Sequence, residues 1–466
     1  MNGALRITRI VGLAMMSILM SWHGAVAGAG DDERPHLQAA LDTATWLGSV
    51  AVDTEHGIAW PADPEQPDTI VRQLYSGTPG VILFFIELYQ TTGDSSYLND
   101  AKRGGDDLLG SLPDELQDGQ ASLWTGVAGQ GFTLHQVYKA TGEQRYLVGA
   151  TRCVELLKKH ARPGADGKGV EWNDTTDIIR GSAGIGLFLL YAAREMEDPA
   201  ALELAAQAGD RLVAQAMSVE IDDAKSGLKW AMTDEDSRLM PNFSHGTAGV
   251  AYYLATLHQQ LSQHAKTVDE RYLKAALAGA RYLLSIANTS DSGCVIFHHE
   301  PEGEDLYYLG WCHGPVGTSR LFYRLAQVTG DEQWMQWVTR GAQSVLSRGI
   351  DTKRTPGFWN NVGQCCGSAG VASFFLDLHA LTPDAEYAAF AQAVSQDIMQ
   401  RSTSVEIGDQ PVALKWIQAE HRVRPELLQA QTGFMQGAAG IGLWFLQLDA
   451  YTTGREFGLH LPDSPF

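Results

Sequence analysis

The most regular feature of the chain is a series of apolar segments, each of which follows two glycines separated by two residues. A Gly-x-x-Gly step that opens an apolar run occurs seven times, at intervals of 49 to 70 residues. One such step is a weak signal, but seven copies that each open an apolar run predict a repeat architecture. The copies are Gly77–Gly80, Gly126–Gly129, Gly181–Gly184, Gly246–Gly249, Gly314–Gly317, Gly367–Gly370 and Gly437–Gly440.

Two kinds of helix alternate along the repeats. Segments that are apolar on nearly all faces predict inner helices buried on most sides, at 79–91, 128–140, 183–195, 248–262, 316–328, 369–381 and 439–451. Segments with one polar face predict outer helices exposed on one side, at 95–110, 144–161, 199–216, 270–287, 332–348 and 385–401. A seventh amphipathic segment, 35–52, precedes the first step.

Seven inner and seven outer helices predict a closed ring. The helix at 35–52 has no inner helix before it, and the last inner helix has no outer helix after it. Pairing the two ends closes the ring, so that no open end of a solenoid needs capping. We therefore predict an all-α fold, an (α/α)7 toroid of seven helical hairpins, in a single domain that spans 28–466.

The first 27 residues have the pattern of a secretory signal peptide. Arg6 and Arg9 precede an apolar stretch at 10–20, and Ala25-Val26-Ala27 fits a cleavage site. We therefore expect an exported protein, periplasmic or extracellular, that keeps no stable membrane span after cleavage. The alternative is an uncleaved N-terminal anchor.

Composition narrows the range of partners. The 466-residue chain has a net charge of −21, which argues against a nucleic-acid groove because such grooves need clustered Lys and Arg. The apolar and charged fractions are typical of a globular protein. We expect a monomer that binds no nucleic acid.

Three of the five cysteines occupy related places in adjacent repeats. Cys312 and Cys365 stand two residues before a glycine step, and Cys366 stands one residue before it, whereas Cys153 and Cys294 lie outside this register. In a closed ring, equivalent positions of neighbouring repeats lie side by side, so the three sulfurs can converge. Three protein ligands with an open fourth position describe a catalytic zinc site. The alternatives are a disulfide from Cys312 to Cys365 or Cys366, which export permits, or plain buried thiols.

Two histidines and an aspartate are candidates for the remaining chemistry. His245 and His313 each stand directly before a glycine step, as Cys366 does, so they should face the same end of the ring. His245 is a candidate general acid or base, or a further metal ligand; the alternative is a histidine satisfied in the core. His313 could donate to a substrate or support the metal ligands. Asp177 could orient a histidine, or be a loop carboxylate near the next helix start.

These residues resemble the lanthionine synthetase C-like family, over the whole mature chain. The resemblance rests on Trp311-Cys312-His313-Gly314, Cys365-Cys366-Gly367 and Phe243-Ser244-His245-Gly246. It implies Zn²⁺ held by the three cysteines, with His245 as the acid or base and Asp177 at the family's aspartate position. It also implies a peptide or small-thiol substrate, in which a zinc-activated thiol adds to dehydroalanine or dehydrobutyrine and forms a thioether.

The chain departs from the family pattern at two positions near the first zinc cysteine. His313 stands where the family has tyrosine, and Tyr308 stands where it has an active-site arginine. Export is a third difference, because the family's cyclases usually act in the cytoplasm.

Two other functions stay open. One is an exported carbohydrate-active enzyme on a related α-toroid, a class that needs paired carboxylates; the seven glycine steps and the Cys365-Cys366 pair argue against it. The other is a non-catalytic relative that binds zinc or a peptide, and Tyr308 in place of arginine is the observation that favours it.

Overall fold

The glycine steps act by letting backbones approach closely. The second glycine of each step lies against the carbonyl oxygen of the residue six positions before it, where a Cβ atom would overlap or crowd that oxygen. A glycine is therefore required at these points. The computed structural model describes residues 34–68, 70–222, 225–233, 238–264, 269–290, 293–350, 358–359, 361–408, 412–419 and 422–466. The predicted signal peptide, 1–27, lies outside them.

Within the described residues, seven helices line the bore of a closed ring. Each contacts the next one along the chain, and the last contacts the first. Every one begins within a glycine step, as the sequence predicts. They are α2 (Thr78–Thr92), α4 (Val127–Thr141), α6 (Ser182–Glu195), α8 (Thr247–His264), α10 (Pro315–Thr329), α12 (Ser368–Leu381) and α14 (Ala438–Thr453).

Seven further helices of the described part of the chain form the outer layer. Six of them pack as hairpins on the inner helices that precede them. The first, α1, lies beside α14, where the His36 ring stacks on Phe445 with 6.5 Å between ring centroids. This arrangement confirms the predicted all-α toroid. The outer helices are α1 (Pro35–Ser49), α3 (Ser95–Gly110), α5 (Gln144–His160), α7 (Pro199–Ala214), α9 (Arg271–Ile286), α11 (Gln333–Leu346) and α13 (Ala385–Gln400).

Short strand pairs occur in the connections from outer to inner helices. Five pairs are antiparallel, and the pair β7–β8 is parallel and joins two repeats. In chain order they are β1 (Val52–Asp53) with β2 (Ile58–Ala59), β3 (Arg162–Pro163) with β4 (Val170–Glu171), β5 (Met217–Asp222) with β6 (Lys225–Lys229), β7 (Tyr307–Tyr308) with β8 (Phe358–Trp359), β9 (Thr403–Val405) with β10 (Ala413–Lys415), and β11 (Gln418–Ala419) with β12 (Leu428–Gln429).

A closed circle of backbone hydrogen bonds surrounds the end of the bore where the inner helices begin, which we call the mouth. In each repeat the residue two positions before the first glycine takes part, and its N–H donates to the carbonyl of the equivalent residue in the next repeat. The third repeat differs by one residue, because Ile178 donates there while Ile179 accepts. We call this circle the backbone ring; its members are Tyr75, Trp124, Ile179, Ser244, Cys312, Cys365 and Met435.

The C-terminal segment, 455–466, crosses the bore below the mouth. Gly458 donates its N–H to the Glu87 carboxylate on α2, and Phe466 stacks on Tyr323 of α10 with centroids 5.0 Å apart. Because α2 and α10 lie on opposite sides of the ring, the segment ties the two sides together. No helix in the described part of the chain is long and apolar enough to span a bilayer.

Candidate metal centre

The backbone ring brings the three register cysteines together. The Cys312 N–H donates to the carbonyl of Cys365 at 3.2 Å, which sets the fifth and sixth repeats side by side. The Sγ atoms of Cys312 and Cys366 lie 3.0 Å apart, and those of Cys365 and Cys366 lie 3.4 Å apart. Within the ranges that the structure describes, these three form the one group of three or more metal-ligating side chains whose ligand atoms all lie within 4.8 Å of one another.

The three sulfurs suit a zinc ion. Tetrahedral ligation with Zn–S bonds of about 2.3 Å separates the sulfurs by about 3.8 Å, so the sulfurs, now 3.0 and 3.4 Å apart, would have to move slightly outward to hold the ion. All three cysteines are free thiols. Burial raises the pKa of the Cys312 thiol, whereas hydrogen bonds from Cys312 and Cys366 lower the pKa of Cys365. Three thiolates so close together repel one another, and a bound cation is what would stabilise them.

His245 is held by Asp177, as the sequence suggested. The His245 Nδ1 donates to Asp177 Oδ2 at 2.6 Å. The other oxygen of Asp177 accepts the backbone N–H groups of Arg180 at 2.6 Å and Gly181 at 2.8 Å. The aspartate is therefore both the loop carboxylate and the histidine partner that the sequence left as alternatives. Because Nδ1 donates, Nε2 of His245 is the nitrogen left to face a substrate.

His245 lies at the mouth but outside the cysteine group. Its side chain is 29% exposed, whereas Asp177 is fully buried. It is not among the clustered metal-ligating side chains, so the geometry favours an acid or base over a further ligand. The mouth therefore pairs a possible metal centre with a histidine that can exchange protons with a bound molecule.

His313 is a buried neighbour of both features. It follows Cys312, is 6% exposed, and its ring centroid lies 5.7 Å from that of His245. Its Nδ1 has no hydrogen-bond partner among the described residues. Burial lowers the pKa of His313 well below its usual value, so the ring is neutral at physiological pH.

The sequence pattern and this geometry agree with a known family. The model of the lanthionine synthetase C-like protein family matches residues 71–457. The chain belongs to the lanthionine synthetase C-like family.

The solved structure of nisin cyclase shows the same fold as this LanC-like protein. The chain is similar to nisin cyclase, with 16% identity, a TM-score of 0.61, and coverage of 91% of this chain and 96% of that one. It is also similar to the GH76A α-1,6-mannanase of Salegentibacter sp. HEL1_6, with 14% identity, a TM-score of 0.46, and coverage of 89% and 99%. The GH76 α-mannanase of Bacteroides thetaiotaomicron gives 10% identity, a TM-score of 0.46, and coverage of 90% and 96%.

Sequence reasoning missed His298 and Arg422 of the LanC-like mouth and noted Tyr308 only as a departure from the family pattern. His298 stacks on His313 with centroids 3.9 Å apart, and burial lowers its pKa to about 3. Tyr308 packs edge-on against His298 at 4.8 Å. Arg422 donates through Nε to the Tyr308 hydroxyl at 3.3 Å. The last pair is 114 residues apart, so no local pattern could have revealed it.

Gln436 is a fourth addition, and a repeat-register signal could have found it. It stands directly before its glycine step, as His245, His313 and Cys366 do. Its Nε2 lies 3.9 Å from the Cys366 Sγ and 3.2 Å from the Tyr75 hydroxyl. Comparing that one position across all seven repeats would have included it in the site.

Proposed function

We propose that this protein is a zinc-dependent enzyme that adds a thiol to a dehydroalanine or dehydrobutyrine residue and forms a thioether. The observation that carries the proposal is the convergence of Cys312, Cys365 and Cys366 beside the Asp177–His245 pair. Membership of the LanC-like family and the shared fold with nisin cyclase support it. The substrate would be a peptide or a small molecule that carries the thiol.

Zinc would be held by Cys312, Cys365 and Cys366, which leaves one position for the substrate. When bound, the ion supplies a positive charge that lowers the pKa of the substrate thiol. Ligation would also keep Cys312 and Cys366 from joining as a disulfide, a requirement if the protein is exported.

His245 would carry the proton in this reaction. Its Nε2, left without a proton by the Nδ1–H···Asp177 bond, can accept the proton of the substrate thiol. The sulfur then bonds to the β-carbon, the Cα–Cβ π bond breaks, and the resulting enolate takes the same proton from Nε2 at its α-carbon. One C–S and one C–H bond form, and no oxidant or reductant is needed.

His313 would position its neighbours. Its neutral ring contacts His245, with centroids 5.7 Å apart, and His298, with centroids 3.9 Å apart, so it would set where the acid–base histidine lies relative to His298. A buried, neutral imidazole with no partner on Nδ1 can also donate a hydrogen bond to a bound substrate.

The decisive experiment combines metal analysis with thiol addition. We expect the purified protein to hold one equivalent of zinc, and Cys365→Ala and Cys366→Ala to lose it. Cys294→Ala is the matched control, because Cys294 is equally buried but outside the group. The wild type should add a thiol to a dehydroalanine peptide. A Cys312–Cys366 disulfide found by mass spectrometry, or zinc content unchanged in both variants, would rule the proposal out.

Export is part of the proposal. Residues 1–27 have the pattern of a signal peptide, and we infer that the enzyme acts outside the cytoplasm. N-terminal sequencing of protein recovered from the periplasm or medium would test this, with a mature end near Gly28 expected. Recovery only from the cytoplasm, with Met1 retained, would contradict it.

A further inference from the structure

Resting on the proposed function, we propose that Arg422 determines substrate choice by binding a carboxylate on the thiol-bearing substrate. The substrate class would be a thiol acid, or a peptide whose reacting cysteine lies beside a carboxylate. Arg422 comes from the hairpin β11–β12, which reaches the mouth from the segment between α13 and α14.

The base of the hairpin is fixed to the metal centre. The side chain of Gln418, on β11, accepts the Val362 N–H at 2.6 Å and donates to the Gln436 carbonyl at 2.5 Å. Gln436 in turn contacts Cys366. A chain of buried hydrogen bonds therefore sets the position of the hairpin relative to the sulfurs.

A second contact joins the hairpin to the mouth, between Arg422 and Tyr308. Arg422 is exposed, but its Nε is held by the Tyr308 hydroxyl. Its terminal nitrogens have no hydrogen-bond partner among the described residues. A guanidinium anchored through Nε keeps its terminal donors for a carboxylate.

Tyr308 places this cation on the sulfur side of the mouth. The tyrosine is buried, and burial, together with the nearby Cys366 thiol, raises its pKa to about 12. His245 contacts His313, with ring centroids 5.7 Å apart, whereas Tyr308 contacts both His313 and His298. The α-carbon of the acceptor must reach His245, so the acceptor occupies the His245 edge of this group of rings. The remainder of the thiol substrate is then directed toward Tyr308 and Arg422.

The local charge also favours an anion. Arg422 and Arg238 both act electrostatically on His298, although the chain as a whole has a net charge of −21. The Arg422 guanidinium, at the mouth of an acidic protein, attracts an anionic group to this place.

The test uses two thiols of the same shape and different charge, 3-mercaptopropionate and 3-mercaptopropionamide. Their affinities for the cobalt-substituted protein are measured from the thiolate–cobalt charge-transfer band, a readout that requires no turnover. We expect the wild type to bind the carboxylate at least about tenfold more tightly, as for a charge-assisted hydrogen bond. In Arg422→Gln the ratio should fall to near one, and in Arg422→Lys it should be intermediate. Arg424→Gln, an exposed arginine of the same hairpin, should keep the wild-type ratio.

The outcomes separate this inference from the proposed function. Equal affinities of the wild type for both thiols, or a ratio unchanged in Arg422→Gln, would overturn the role of Arg422 even if thioether formation is observed. If binding selectivity depends on Arg422 but no thiol adds to dehydroalanine, the proposed reaction is wrong. The role of Arg422 in binding a thiol acid is then still supported. A further comparison uses dehydroalanine and its amide as acceptors. If Arg422 discriminates between these two acceptors and not between the two thiols, Arg422 does not bind the thiol substrate and the inference is wrong.

Discussion

At the scale of single residues, the mouth shows how one carboxylate can serve a loop and a reaction. Asp177 accepts two backbone N–H groups with one oxygen and the Nδ1–H of His245 with the other. The loop thereby fixes the carboxylate, and the carboxylate fixes the histidine tautomer. Neither role can be changed without affecting the other.

Asp177→Asn should therefore remove catalysis without removing zinc. The amide oxygen would keep the two backbone hydrogen bonds, so the NH₂ group would face His245 Nδ1 and force the imidazole proton onto Nε2. The histidine then cannot accept the thiol proton, and we expect a loss in the rate of thiol addition of about 100-fold or more.

Asp174→Asn is the control for this variant, because Asp174 lies in the same loop but is exposed. It should retain the wild-type rate. Zinc content, measured by atomic emission, should be unchanged in both variants. A normal rate in Asp177→Asn would show that the histidine tautomer does not matter, and a loss of zinc would show that Asp177 supports the ligands instead.

At the scale of elements, the glycine steps decide whether neighbouring repeats can meet. The second glycine of the sixth repeat, Gly370, lies against the carbonyl of Gln364, which directly precedes Cys365. A Cβ atom at this point would push the start of α12 away from the backbone ring and displace two of the three proposed zinc ligands.

Gly370→Ala should thus destabilise the fold and weaken metal binding together. Overpacking of this kind costs about 1 to 3 kcal/mol or more, measured by urea unfolding. Gly48→Ala is the matched control: Gly48 is exposed near the end of α1 and a Cβ there meets nothing, so the helix should gain about 0.5 to 1 kcal/mol. Equal stability of the two variants would mean that the steps are not required for packing.

At the scale of the whole molecule, the C-terminal segment makes the stability of the ring depend on pH. Glu87 on α2 accepts the Gly458 N–H of this segment, and burial raises the pKa of Glu87 to about 7. The folded state thus prefers the protonated acid more than the unfolded state does. Protonated Glu87 therefore contributes to the free energy of unfolding. This contribution is fully present below a pH of about 4.5 and is lost as pH rises toward about 7.

Glu87→Gln should remove this pH dependence. A neutral amide needs no proton, so the variant should be more stable than the wild type at pH 8. The difference in the free energy of unfolding should be up to about 3 kcal/mol, at about 1.4 kcal/mol per pKa unit. At pH 5 the two proteins should be closer in stability. Glu456→Gln, an exposed acid of the same segment, should show no such difference. The free energy of unfolding in urea at both pH values provides the measurement, and parallel profiles for wild type and Glu87→Gln would contradict the assignment.

The sequence by itself predicts the fold and much of the candidate site. The repeated glycine steps and the alternation of fully and partly apolar helices predict the toroid, and helix positions agree to within a few residues; the first outer helix ends at Ser49 rather than at 52. The register also predicts that Cys312, Cys365, Cys366, His245 and His313 share one end of the bore. In a closed ring, residues at the same position of their repeats lie at the same height along the bore. The repeat pattern alone therefore predicts that these residues share one end.

Only the tertiary structure decided the contacts between positions that no period relates. Arg422 and Tyr308 meet because a hairpin folds back across the mouth, and His298 joins the site because its loop packs on His313. Glu87 meets Gly458 because the C-terminal segment crosses the bore. These contacts depend on where irregular connections travel in space, and that path follows from the packing of the whole ring, which local sequence patterns do not determine.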